Sequence, residues 1–354
     1  MSKMENGLDW QTLVDIPRLQ RWMDVEGLGE GPISGAQPLA GGTQNLLLLL
    51  HRSGRDYVLR RPPLHPRMDG NATMLREMRV LQALAATDVP HAGFIAGCKD
   101  TEVLGSAFYL MEPIEGFNAC ERMPALHAGD LAVRHAMGLA LADGAAALGR
   151  VDLARVGLSD LGKVEGFLER QVPRWQALLH SYEEFTGWSG SQALGDVGAI
   201  GRWLEQRRPP TFEPGLMHGD YHLANVMFRN DGPQLGAIVD WEMTTAGDPL
   251  LDLGWMLATW PDADGIATGP ATPQPWSGFP DAGALIARYA MGSKRDLSHV
   301  QWYAVLACYK LGIVLEGTHA RACAGKASRE IGVQLHQAAL KLFERASQWI
   351  EGRR

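Results

Sequence analysis

The chain has 354 residues, 46% of them hydrophobic, 21% charged and 8% aromatic, which excludes a largely disordered, fibrous or membrane-spanning chain and predicts two domains. Forty acidic residues against 33 basic ones give a net charge of −7, which argues against a general nucleic-acid binder, whose affinity rests on a basic surface that displaces phosphate counterions. Cys98, Cys120, Cys308 and Cys323 stand far apart with no C-x-x-C pair, so neither a zinc knuckle nor a disulfide framework is indicated. No apolar leader opens the chain and the densest apolar run, Leu46 to Leu50, is far too short for a membrane span, so a cytoplasmic location is expected by elimination.

In chain order, residues 8–28 read as one or two amphipathic helices. Short β-like runs follow: one leading into Ala40-Gly41-Gly42, then Asn45–His51, Tyr57–Arg60, Phe94–Cys98 and Ala107–Met111. One helix at about 70–86 interrupts them. Beyond Glu112-Pro113-Ile114-Glu115-Gly116 the periodicity predicts helices at about 129–149, 164–187, 191–208, 249–259, 281–291, 297–323 and 327–351. Small strands are expected at Gly215–Met217, Val226–Arg229 and Leu235–Val239, and residues 261–280 read as a long loop flanked by Trp260 and Trp276 as lid aromatics.

The chemistry concentrates after Leu216-Met217, where His218-Gly219-Asp220 enters a loop and Asn225 follows five residues later. The apolar run Ala237-Ile238-Val239 then ends in Asp240. A carboxylate at the end of a buried strand needs a cation, a hydrogen-bond partner or a proton. Two aspartates and an asparagine are hard oxygen donors of the kind that hold magnesium against phosphates, with one carboxylate left to orient an attacking hydroxyl. In isolation Asp220 would read as a turn former and Asn225 as a cap; the ordered set favours the site.

On the helix at 70–86, Glu77 falls inside the apolar arc of Met74, Met78, Val80, Leu81 and Leu84. A buried carboxylate requires a cationic partner, and Arg60 at the end of a β-like run offers one; the pair reads either as a device that aims a cation at phosphates or as a structural salt bridge. Gly41-Gly42-Thr43 between two strands reads as a phosphate-approaching hairpin or as a plain turn.

Together these residues resemble the aminoglycoside phosphotransferase and choline kinase family. The resemblance rests on Gly41-Gly42-x-x-Asn45, Tyr57-Val-Leu-Arg60, Arg76-Glu77-x-Arg79, Phe108-Tyr-Leu-Met-Glu112, His218-Gly-Asp-Tyr-His-x-x-Asn225, Ile238-Val-Asp240-Trp-Glu and Gly247-Asp-Pro-x-x-Asp252-Leu253, spread over residues 33–325. More narrowly they are similar to the branch found alone in bacteria or fused to acyl-CoA dehydrogenases. The resemblance implies an α+β, two-lobed protein-kinase-like fold: a small β-rich N-lobe at 1–111 with a five-stranded sheet, a hinge at 112–118, and a larger, mainly helical C-lobe at 119–354. It implies ATP and Mg2+ as cofactors, Asp220 as the catalytic aspartate, and Asn225 and Asp240 as metal ligands. Gly41, Gly42 and Thr43 would form the phosphate loop, Arg60 would meet the phosphates with Glu77 as partner, and Glu112 and Ile114 would offer backbone groups to adenine. Arg60 departs from the usual lysine, and the Asp-Phe-Gly and Ala-Pro-Glu signatures of protein kinases are absent.

The expected activity is phosphoryl transfer to a small-molecule hydroxyl, with a hydroxyacyl-CoA the acceptor that the branch implies. An aminoglycoside, choline or sugar kinase is the alternative, and a nucleotide-binding pseudokinase or regulatory module the alternative of another class. Glu242 reads as a substrate contact or as the partner of a basic residue. Arg321 reads as an anion contact or as a helix-end charge. Expected partners are the hydroxyl acceptor and an acyl-CoA dehydrogenase of the same pathway, with a homodimer left open and neither nucleic acid nor membrane involved.

Overall fold

A computed structural model describes residues 10–39, 45–63, 69–262, 265 and 272–352. The chain divides into two compact units, Met1–Glu115 with Ala237–Glu242, and Gly116–Gly236 with Met243–Arg354. The segment Ala237–Glu242, placed by sequence in the second lobe, joins the first unit. Its backbone is tied there, because the Ile238 N–H donates to the Pro90 carbonyl at 2.8 Å and Ile238 bridges to His91.

The first unit runs α1 (Ile16–Val25), β1 (Ile33–Pro38), β2 (Leu46–Arg52), β3 (Arg55–Arg61), α2 (Gly70–Leu84), β4 (Phe94–Cys98), a single turn α3 (Thr101–Leu104) and β5 (Phe108–Met111). The strands form one antiparallel sheet in the order β1-β2-β3-β5-β4. Side chains alternate across a strand, so each strand serves two faces. Leu48, Leu50, Tyr57, Leu59, Phe108 and Leu110 enter a core with Leu19 and Met23 of α1. The register sets Arg60 opposite Tyr109, which puts both on the other face, toward α2. Helix α2 starts at Asp69, whose carboxylate accepts the Asn71 and Ala72 N–H groups at 3.0 and 3.1 Å. Its buried face is Met74, Glu77, Met78, Val80, Leu81 and Leu84, the arc that the periodicity predicts.

The second unit contains α4 (Ala125–Gly129), α5 (Leu131–Gly149), α6 (Gln171–Ser181), α7 (Val197–Gln206), β6 (Gly215–Met217), β7 (Val226–Phe228) and the first half of β8 (Leu235–Ile238). After the excursion to the first unit come β9 (Thr245–Gly247), α8 (Leu250–Thr259), α9 (Ala282–Gly292), α10 (Val300–Cys323) and α11 (Arg329–Ile350). All ten residues of α8 are buried, as is α10 from Trp302 to Tyr309. These two helices approach backbone to backbone: a Cβ on Gly254 would lie 2.4 Å from the Tyr303 carbonyl oxygen. Strand β6 pairs antiparallel with β9.

Three expectations change. The predicted helix at 164–187 shortens to α6, because Gly166 takes a φ of +60°, and Pro173 sits in the first turn, where its missing N–H costs nothing. Trp260 and Trp276 are not lid aromatics: both are buried, their rings meet edge to face at 5.2 Å, and Trp276 stacks on Phe279 at 4.5 Å. Helix α5 is long and apolar enough to cross a membrane, although Arg134, His135 and Asp143 interrupt its apolar runs. Its Leu141, Ala142, Ala145, Ala146 and Leu148 are buried within the unit, as in a core helix.

Candidate functional site

In the first unit the sheet and α2 assemble a charged cluster. Arg60 Nε lies 2.8 Å from Glu77 Oε2, and Arg60 Nη2 donates to Glu77 Oε1 at 3.2 Å and to Asp240 Oδ1 at 2.9 Å. The Tyr109 hydroxyl donates to Glu77 Oε2 at 2.7 Å. Glu77 has no exposed surface, while the Asp240 side chain is 37% exposed. Burial works against the Arg60 charge, but Glu77, Tyr109 and Asp240 outweigh it and raise the pKa. The forked guanidinium bridges two carboxylates, which a lysine's single ammonium does with less directional control. Asp240 has a φ of +65°, a left-handed conformation that aspartate tolerates better than most residues.

Strand β6 delivers the second cluster. Gly219 has a φ of +86° and a Cβ there would meet the Met243 carbonyl oxygen at 2.5 Å, so both conformation and space demand glycine. Asp252, in the first turn of α8, ties this loop down: its Oδ2 accepts the His218 N–H at 2.6 Å and its Oδ1 the Gly219 N–H at 2.9 Å. Asp220 Oδ1 accepts the Trp255 indole N–H at 2.8 Å and lies 3.2 Å from His222 Nε2. Asn225 Nδ2 donates to Asp220 Oδ2 at 3.0 Å and to the Asp220 carbonyl at 2.9 Å. Burial works to raise the Asp220 pKa, but His222, His218 and the Trp255 indole outweigh it and hold the carboxyl well below its usual range.

Lys310 of α10 completes this cluster. Its Nζ lies 3.5 Å from the Gly219 carbonyl oxygen and 4.3 Å from the centre of the Trp255 ring, with Trp175 at 5.5 Å. Burial lowers its pKa to about 8 against the pull of Asp220 and Asp252. Burial also pushes Asp252 up to about 7, although two N–H groups and Lys310 favour its charge. A carboxyl whose pKa rises on folding contributes stability that is present below its unfolded value of 3.8 and lost as pH climbs through about 7. Asp252→Asn is therefore expected to cost most at pH 4 and progressively less toward pH 7, as read from urea unfolding of both proteins across that range. A cost that does not change with pH would show that Asp252 titrates normally.

The structure thus brings Arg60, Glu77 and Asp240 together in one unit, and Asp220 and Asn225 together in the other. The Glu112 N–H is already committed to the Gly93 carbonyl at 2.8 Å and its carboxylate to Arg55 at 3.2 Å, so the group it has for a ligand is its carbonyl. Ile114 follows β5 in irregular backbone. Gly41, Gly42 and Thr43 lie outside the described residues. Glu242 sits in a short turn of the first unit, where its main-chain carbonyl accepts from the Arg76 guanidinium. Arg321 is exposed in the last turn of α10, eleven residues or roughly 16 Å along the helix from Lys310, where its charge complements the helix terminus. Tyr109 and Trp255 escape a sequence reading as ordinary core aromatics. The signal for Trp255 was its place three residues after Asp252, one turn along the same helix face.

A five-stranded sheet with one buried Arg–Glu pair, followed by a helical unit that holds an aspartate and an asparagine on a tied-down loop, defines the protein-kinase-like α+β phosphotransferases. The chain belongs to the phosphotransferase enzyme family, which it matches over residues 35–287. It is 27% identical over 314 residues to acyl-CoA dehydrogenase family member 11 of Gallus gallus, a match that takes in 86% of this chain and 39% of that protein. The chain accordingly spans less than two fifths of the length of that curated relative. Among solved structures, a protein from Ralstonia eutropha JMP134 named "putative aminoglycoside phosphotransferase" superposes with a TM-score of 0.78 at 28% identity, over 96% of this chain and 98% of that one. A variant of aminoglycoside 2′-phosphotransferase-IIIa in its GDP complex superposes with a TM-score of 0.61 at 14% identity, over 94% of this chain and 97% of that one.

Proposed function

We propose that this chain is a small-molecule kinase that transfers the γ-phosphoryl group of ATP to a hydroxyl. The observation that carries the reading is the state of Asp220, a partly exposed carboxylate kept ionised by His222, Trp255 and Asn225 on a loop that Asp252 anchors. So acidic a carboxyl is a weak base. That suits phosphoryl transfer, whose loose transition state asks for a hydroxyl held in line more than for early proton removal. The acceptor oxygen forms the new P–O bond, the bond to the ADP oxygen breaks, and the hydroxyl proton leaves late, to Asp220.

Asn225 turns its amide nitrogen to Asp220, which leaves its carbonyl oxygen as a hard donor, and Asp240 keeps a partly exposed carboxylate; both suit Mg2+. Bound magnesium would neutralise charge on the phosphates. Arg60, oriented by Glu77, is the cation for those phosphates, and the Glu112 carbonyl with the Ile114 N–H is the pair for adenine.

For the acceptor we propose a hydroxyacyl-CoA. Support comes from the relatives named for acyl-CoA dehydrogenases and from Lys310, a cation beside the Asp220 loop that suits an anionic acceptor and disfavours a polycationic aminoglycoside. The test is ADP release with Mg2+ over a panel of hydroxyacyl-CoAs, free hydroxy acids, choline, sugars and aminoglycosides, with ATP or GTP as donor. Turnover of hydroxyacyl-CoAs above the other acceptors is expected. Turnover of another class alone removes the acceptor proposal, and ATP binding with no turnover of any acceptor makes the chain a nucleotide-binding pseudokinase.

A further inference from the structure

Far along α10 from Lys310, a second cluster of ligating side chains has no part in the chemistry above. Glu316, His319 and Cys323 stand at i, i+3 and i+7, on one face of α10, and α11 brings His336 against them. The Glu316 side chain is 1% exposed. Its Oε1 accepts the Trp188 indole N–H at 2.6 Å, and its Oε2 lies 2.7 Å from His336 Nδ1. The His319 and His336 rings stack with centroids 4.4 Å apart and planes 27° from parallel. His319 Nε2 lies 3.6 Å from Cys323 Sγ, while its Nδ1 is buried with no hydrogen-bond partner.

A helix-to-helix contact gains nothing from this set that Leu or Phe would not supply more cheaply. It holds a buried carboxylate that needs a positive charge, two stacked imidazoles that would repel if both were protonated, and an orphaned ring nitrogen. One divalent ion satisfies all three. We propose that Glu316, His319 and His336 form a binding site for a zinc-class transition ion, distinct from the magnesium site, that clips α10 to α11. The donors are Glu316 Oε2 and the Nδ1 atoms of the two histidines. One ligand atom from each of these residues lies within 4.8 Å of the others; tetrahedral bonds of about 2.1 Å set donors about 3.4 Å apart, so the wider gaps close and the 2.7 Å Glu316–His336 contact opens, side-chain adjustments of about 1 Å. Two imidazoles and one carboxylate favour zinc, nickel, copper or cobalt over magnesium or calcium.

The surroundings match what such ligands need. A metal-bound imidazole donates its other N–H to a neighbour and a metal-bound carboxylate is hydrogen-bonded on its free oxygen. Cys323 stands at His319 Nε2 and Trp188 at Glu316 Oε1 in those two places. Both histidines keep part of their surface in solvent, 19% for the His336 side chain, so the ligand set lies near the protein surface.

The test uses the full chain, stripped with a chelator, dialysed, and titrated with ZnCl2 in the calorimeter without nucleotide or magnesium. One equivalent is expected to bind and to raise the thermal midpoint, and CoCl2 is expected to give the intense visible absorption of a four-coordinate site. His319→Gln and His336→Gln should each weaken zinc at least about 100-fold, more than loss of an outer partner does, and Cys323→Ser about 10-fold. His336→Gln uncovers Glu316 and has the greater chance of unfolding, so the half-buried His319→Gln, checked for a normal apo melting curve, carries the decision. A wild-type chain that takes up no zinc, or a folded His319→Gln chain that binds it as tightly as wild type, overturns the proposal.

Discussion

Asp220→Asn is expected to lower kcat for phosphoryl transfer by about 10²–10⁴-fold while leaving ATP affinity within a few-fold of wild type. The substitution is nearly isosteric. The Trp255 indole still finds an acceptor at Oδ1, and the loop stays anchored because Asp252 holds the His218 and Gly219 N–H groups rather than Asp220 itself. What disappears is the negative charge. The hydroxyl then loses its acceptor, and an amide nitrogen put at the Oδ2 position would face the Asn225 Nδ2, donor against donor. Steady-state ADP release paired with calorimetric ATP binding separates these effects. Activity retained within tenfold would remove Asp220 from the reaction, whereas ATP binding lost together with activity would mean that the loop had collapsed.

Glu77→Leu is expected to reduce folding stability by about 3–5 kcal/mol, because it takes from the buried Arg60 guanidinium the fully buried one of its two carboxylate partners, where β3 faces α2. Two further groups suffer: the Tyr109 hydroxyl loses its acceptor, and Asp240 is left as the remaining carboxylate for Arg60. Removing the Arg60 charge as well, in Arg60→Met/Glu77→Leu, is expected to recover part of the loss, since apolar side chains of similar volume fill such a site without a desolvation penalty. Equilibrium urea unfolding of the four proteins closes the double-mutant cycle. If Glu77→Leu costs under about 1 kcal/mol, the pair is screened and is not a buried ion pair of the kind described here. The double variant also bears on function: it folds better than Glu77→Leu, yet has lost the cation proposed for the phosphates, so nucleotide affinity and stability move in opposite directions.

The zinc site stands apart from both expectations. It uses none of the residues assigned to phosphoryl transfer, and it can fail or succeed without touching that reading.

Much of the fold was legible because its signals are local. Short β-like runs bounded by turn residues marked the strands, and the 100° spacing of Met74, Val80, Leu81 and Leu84 put Glu77 on the buried side of α2, where it is. His218-Gly219-Asp220 and Asn225 could be read as a set since five residues of loop suffice to turn the asparagine amide back onto the aspartate. The family resemblance added the two-lobed architecture. What local signals could not carry was anything made by residues far apart in the chain. The segment Ala237–Glu242 belongs to the first unit only because Ile238 finds Pro90. Trp255 looks like any core tryptophan until its indole meets Asp220, and Tyr109 like any strand tyrosine until the β3–β5 register turns it toward Glu77. Arg321 and Lys310 are two cations on one helix, and only the packing of α10 shows which one stands by the Asp220 loop. The order of residues therefore determined which groups the chain possesses and which face of each element they occupy, because both follow from backbone periodicity. Beyond the Arg60–Glu77 pair that a buried carboxylate called for, which groups share a charge, a proton or an ion was decided by tertiary contact, since Coulomb energy and hydrogen bonding depend on distance in space and not along the chain.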